Sequence, residues 1–209
     1  MLRVGPSPRS ALSEEHGFGH WRNLSGTVRG ICANQLDPSS DSLATVGSEL
    51  AEFVGSVYQF AITALYALLS QAFLAKHQLM PAREIISKGL ASAEQNSERM
   101  FNAEFFRQNA RALVIEGGAC VSTNAQKLLE ESLAIAHGQQ ARSLELRAAA
   151  DLARLYRDQG RRAEARDLLA PVYGWFTEGF DTPDLKDAKT LLDELMCARR
   201  RQRPSAWRE

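Results

Sequence analysis

SLELRAAADLARLYRDQGRRAEARDLLAPVY (Ser143–Tyr173) sets two apolar stripes on either side of one glycine. Steps of three and four put Leu152, Leu155 and Tyr156 with Ala148 and Ala149 on one helical stripe. Asp158-Gln159-Gly160 then ends that helix, because glycine enters the left-handed conformation without a Cβ penalty. A second stripe follows in Ala163, Ala165, Leu168, Leu169, Val172 and Tyr173. The stretch predicts two antiparallel helices joined by a tight turn. Ala153 and Ala165 are small where such helices cross closely. Leucine at either is expected to cost about 1–3 kcal/mol in overpacking.

The pattern recurs. Tyr66, Leu69, Ser70, Phe73, Ala82 and Ile86 fall at matching intervals, with His77 in the place of Gly160. Pro81 then opens the second helix, where a missing N–H costs nothing. Phe106, Ala110, Leu113 and Gly117 match the first helix once more, and Ala125 and Leu129 match the second after an insertion of about three residues in the loop Gly118–Asn124. A weaker unit spans Trp21–Phe53 and turns at Asp37-Pro38. The spacing of Leu152, Ala153, Tyr156, Gly160, Ala165 and Leu169 resembles a tetratricopeptide repeat, a helical hairpin that buries its apolar face only by stacking on its neighbours.

ARSLELRAAADLARLYRDQGRRAEARDLLAPVYGWFTEGFDTPDLKDAKTLLDEL (Ala141–Leu195) further resembles the C-terminal tail of large bacterial signalling proteins. These join an adenylate/guanylate cyclase or a DNA-binding domain to a nucleotide-binding ATPase and a tetratricopeptide tail. EEHGFGHW (Glu14–Trp21) carries a fainter likeness, so the resemblance covers most of Ala11–Leu195. It implies a regulatory, protein-binding role in signal transduction or transcriptional control. The cyclase and ATPase domains of that family are not in this sequence, which reads as a detached tail or a short relative.

Composition agrees with an all-α protein. Of 209 residues 44% are hydrophobic, and 25 basic residues balance 25 acidic ones, which removes any general pull toward nucleic acid or membrane. Cys32, Cys120 and Cys197 are odd in number and far apart, with no disulfide framework or zinc spacing. Met1–Pro8 lacks the apolar run of a secretory signal, and a cytoplasmic location is the simplest expectation. Phe53 to Ala75 carries no charge and is long enough to span a bilayer. Ser56, Gln59, Thr63 and Ser70 line one face of it, which suits a helix buried between neighbours.

The residues suggest no catalysis. Gly117-Gly118 is followed by Ala-Cys-Val-Ser, without the Gly-Lys-Ser/Thr of a phosphate loop, and reads as a helix end. His16 and His20 have ligand spacing, but Gly17 and Gly19 disfavour the helix that would align them. His77 and His137 read as cations at helix C-termini. Cys120 falls in the inserted loop with no basic partner nearby in sequence, so no nucleophile is assigned. No enzyme activity, cofactor or metal site is expected.

The tetratricopeptide resemblance implies a groove lined by first helices. Carried over by the Gly117 and Gly160 registers, the inward positions are Glu104, Arg107 and Arg111, then Arg147, Ala150, Arg154, Arg157 and Asp158. Arg107, Arg111, Arg147, Arg154 and Arg157 would favour an acidic protein or peptide partner. The bland alternative is that they are helix charges paired with Glu104 or Asp151. The asparagines of a two-carboxylate clamp are missing. An arginine-rich end (Arg199, Arg200, Arg201, Arg203, Arg208) leaves nucleic acid as a second partner class.

The expected fold is an all-α, tetratricopeptide-like right-handed superhelix of helical hairpins. Residues 1–10 would be a disordered start, 11–197 the repeat domain and 198–209 a flexible basic tail. Thr182-Pro183-Asp184 should cap a closing helix whose apolar face is Leu185, Ala188, Leu191, Leu192 and Leu195.

Overall fold

The computed structural model describes residues 19–37, 62–117 and 119–201, together with Glu15, His16, Leu43, Val46 and Leu50. Residues 1–10, residues 202–209 of the basic tail and most of the second half of the weak first unit lie outside the described residues. Every regular element among the described residues is a helix, so the all-α expectation holds. The chain divides into two compact units, Met1–Phe101 and Asn102–Glu209.

In the first unit α1 (Gly19–Leu36) packs on α2 (Ile62–Ala75), which forms a hairpin with α3 (Leu79–Asn96). A 3₁₀ turn, Arg99–Phe101, follows. Ile31, Ile62, Leu69, Ala82 and Ile86 are fully buried. Thr63 and Ser70, the described part of the polar stripe, are buried too. Thr63 Oγ1 donates to Glu98 Oε2 at 3.2 Å, and Ser70 Oγ donates to the Tyr66 carbonyl at 2.8 Å. Both hydroxyls are thus satisfied inside the fold, as a helix packed among helices requires. No helix among the described residues is long and apolar enough to cross a membrane. Helix α3 starts at Leu79, so Pro81 sits inside the first turn rather than at its first residue, where its N–H is still not needed.

The second unit holds two hairpins and a closing helix. Helix α4 (Asn102–Glu116) pairs with α5 (Ala119–Gly138), and α6 (Arg142–Asp158) pairs with α7 (Arg162–Gly174). Helix α8 (Pro183–Arg201) packs against both α6 and α7. One expectation is corrected here. The predicted loop Gly118–Asn124 is helical from Ala119, because no glycine or proline follows Gly118 to stop it. The insertion of about three residues therefore adds a little under one turn to α5. Cys120 therefore lies on a helix, not in a loop.

Helix α6 is buried on two sides. Leu152 and Leu155 pack with Ala110, Ala125 and Leu129 of the preceding hairpin. Leu146, Ala149 and Ala153 pack with Ala165, Leu169, Leu185, Ala188, Leu191, Leu192 and Leu195. The whole expected apolar face of α8 is in that cluster. Thr182 stands at the N-cap position of α8, where its carbonyl accepts from the Lys186 N–H at 3.0 Å, and its hydroxyl donates to the Gly179 carbonyl at 2.8 Å. Tyr156 is only partly buried: its ring lies at the edge of both clusters, 4.0 Å beneath the Arg161 guanidinium. The sequence places it correctly on the packed stripe, but a phenol needs its hydroxyl near polar company.

Three turns share one geometry. At Gly160 the N–H donates to the Arg157 carbonyl, and the Arg161 N–H donates back to Tyr156. His77 and Gln78 repeat this on Leu74 and Phe73, and Gln140 and Ala141 repeat it on His137 and Ala136. The first residue of each pair has positive φ, 82° at Gly160 and 55° at His77 and Gln140. Gly160→Ala is expected to cost about 1 kcal/mol through backbone strain, since a Cβ there meets no atom within 4 Å. His77→Gly should gain a similar amount, about 1 kcal/mol at most. Thermal melts of the two variants should therefore move in opposite directions.

Candidate functional site

Helices α4, α6 and α8 lie side by side, α6 in contact with both of the others. Arg107 is buried on α4, where Nη2 and Nε donate to the Glu104 carboxylate at 2.6 and 2.9 Å. Its Nη1 crosses to Asp151 of α6 at 2.6 Å. Asp151 also accepts from Arg154 at 2.8 Å, and Arg154 reaches Asp187 of α8. The charges thus alternate through three helices as Glu104, Arg107, Asp151, Arg154 and Asp187. Two more rungs join α6 to α8: Arg147 to Asp184 at 2.7 Å and Arg157 to Glu194 at 2.9 Å. Arg157 also bonds Asp158 at 2.9 Å.

The structure brings four of the five sequence-predicted arginines onto one ladder. Arg111 is different: it is exposed and has no charged partner among the described residues. Arg107, Arg147, Arg154 and Arg157 each have a carboxylate partner, and the pairing of Arg107 with Glu104 and of Arg154 with Asp151 is the alternative that the sequence also offered. The missed residues are Asp184, Asp187 and Glu194. They fall at steps of three and seven along α8, a stripe visible in sequence but unreadable until α8 is known to dock beside α6.

Burial alone would raise the Glu104 carboxyl, but Arg107, with lesser help from Arg147 and Gln108, holds it below the ordinary glutamate value. The same balance acts on Arg107, whose burial is outweighed by Glu104 and Asp151, so its guanidinium is held more firmly charged than usual. Glu145 repeats the pattern: burial raises it, and hydrogen bonds from His137 at 2.9 Å and Arg142 at 2.7 Å lower it. His137 thus does more than meet a helix dipole; it ties the end of α5 to the start of α6.

Glu104 and Glu145 have depressed folded values, so their stabilisation is present above the unfolded glutamate value and is lost as pH falls through the folded ones. The melting temperature should drop steeply below about pH 4.5. Glu104→Gln should flatten that slope, which a series of melts between neutral and acid pH would read out.

Among the described residues no group of three His, Cys, Asp or Glu is placed to hold a metal ion. Cys32 and Cys197 are exposed free thiols. The repeat-core positions Leu152, Ala153, Ala165 and Leu169 are all fully buried, and Gly160 sits exposed at its turn.

No protein-family model matches this chain, and no curated protein matches it. Among solved structures it is similar to two crystal structures of a Podosopora anserina protein described as a kinesin light chain with nearly identical TPR-like repeats. The first, of a substituted form of that protein, is 21% identical, with 93% of this chain and 89% of that chain covered at a TM-score of 0.54. The second is also 21% identical, covering 94% and 90% at a TM-score of 0.53. At such identity the likeness concerns the backbone, and with the hairpins and turns above it makes the fold an all-α array of tetratricopeptide-like repeats.

Proposed function

We propose that this chain is a non-catalytic protein-interaction module that binds a protein or peptide on the α4–α6–α8 face of its second unit. The partner-binding residues are Arg107, Arg111, Arg147, Arg154 and Arg157, in two roles. Arg107 holds the face together from below, while the partly exposed Arg147, Arg154 and Arg157 and the exposed Arg111 meet the partner. The observation carrying this reading is the ladder itself. It fixes an ordered row of charged side chains across three helices, at little entropic cost to a ligand that meets it. Among the described residues Arg111 is the one cation on the row without a carboxylate, so an acidic group of the partner belongs there. Elsewhere that partner competes with Asp184, Asp187 and Glu194 for the same guanidinium groups.

The likeness of Ala141–Leu195 to the tails of cyclase- and ATPase-bearing bacterial proteins supports a regulatory role in signalling or transcription control. A neighbouring gene encoding such a cyclase or ATPase would favour that context. The direct test is Arg111→Glu, a substitution at an exposed site that leaves the ladder intact. Pull-downs at low and high salt with both forms should show at least one partner lost in the variant, with helicity unchanged. Identical partner sets would leave Arg111 as a solvated charge and overturn this reading.

A further inference from the structure

The bend between α7 and α8 carries features that the ladder does not use. Trp175 and Phe180 are among the largest exposed apolar side chains, at 55% and 47%. They are not isolated: Trp175 meets Phe176 edge-on at 5.4 Å, and Phe180 meets Tyr173 at 6.0 Å. Arg142 places its guanidinium 5.0 Å from the centre of the Trp175 ring, so this ring already accepts a cation. Within the same bend Glu178 and Asp181 are exposed and have no charged partner among the described residues. An aromatic surface edged by unpaired carboxylates complements a segment that carries arginines and an aromatic ring.

This sequence contains such a segment. Residues 199–209, RRRQRPSAWRE, hold five arginines against one glutamate, with Trp207 among them. We infer that the acidic aromatic bend at residues 175–182 docks the arginine-rich segment 199–209 of a second copy of this chain. Geometry decides between the chain's own segment and a neighbour's. The bend lies at the start of α8 and Arg201 at its end, 19 residues of helix and roughly 27 Å apart. From Arg201 to Arg208 an extended chain reaches at most about 25 Å. Arg203 therefore falls far short of its own bend, and Trp207 and Arg208 approach it only with backbone and side chains fully stretched back along α8, while a neighbour's segment carries no such constraint. The contact is head-to-tail, since the two copies contribute different surfaces.

The test is sedimentation equilibrium of the full chain over a range of concentrations. One variant carries Glu178→Lys and Asp181→Lys; another carries Arg203→Glu and Arg208→Glu. Circular dichroism checks the fold of each variant. Wild type should self-associate at low salt, and association should fall by roughly tenfold or more in either variant and on raising the salt. Mixing the two variants should restore association, because each then offers the charge that the other needs. Trp175→Ala should weaken it as well. A wild-type chain that stays monomeric at every concentration overturns the inference. So does self-association untouched by the two charge variants. Salt-sensitive retention on DNA, lost in the Arg203→Glu/Arg208→Glu variant without any self-association, would assign the segment to nucleic acid instead.

Discussion

Arg107→Met should destabilise the second unit by about 3–5 kcal/mol, the usual cost of stranding a buried charge. Glu104 is only 4% exposed and would keep its carboxylate with no cation bonded to it, only the weaker influence of Arg147. At about 2–4 °C per kcal/mol for a chain of this size, the melting temperature should fall by on the order of 10 °C. Asp151 suffers less, because Arg154 remains as its partner. The double variant Arg107→Met/Glu104→Gln separates charge from packing. Glutamine keeps an acceptor for Gln108, which donates to Glu104 at 3.0 Å, while removing the stranded charge. It should recover more than half of the loss. A double variant as unstable as the single one would show that Arg107 acts by filling space.

Leu152→Ala should cost about 2–5 kcal/mol, since its side chain is fully buried and its neighbours come from another hairpin. Ala110, Ala125 and Leu129 belong to α4 and α5, so the cavity would open between successive repeats. Elements that meet only through such an interface share their stability through it. The loss should therefore appear in one cooperative melt of the second unit, not as fraying of α8. A melting temperature unchanged by this substitution would count against the repeat register that places Leu152 inward. The converse variant, Ala153→Leu, overfills a site that must lie against Ala165 and α8, and should cost about 1–3 kcal/mol.

Much of the fold was legible in local spacing. The α6–α7 hairpin and the closing helix α8 follow from apolar steps of three and four, and from glycine where φ must be positive. The matching register even places His77 at a left-handed turn, where its residue type argues nothing of the kind. Periodicity survives as a signal because a helix buries one stripe whatever its partner. Helix starts were less legible. Residues 119–124 look like a loop with an insertion only when aligned to a repeat, and the backbone runs through them as helix.

The charged face was legible in position but not in meaning. Glu104, Arg107, Arg147, Arg154 and Arg157, named from the repeat register, all lie in the ion pairs that run across α4, α6 and α8. Beside same-helix partners such as Glu104 for Arg107, the arginines bind residues 33 to 44 positions away, such as Asp151 for Arg107 and Asp187 for Arg154. Sequence thus determined which side chains share a helix face, because that depends on one helix alone. Only the tertiary structure decided which of them are tied to another helix, because an ion pair falls off over a few ångströms and α4, α6 and α8 meet only when the repeats stack.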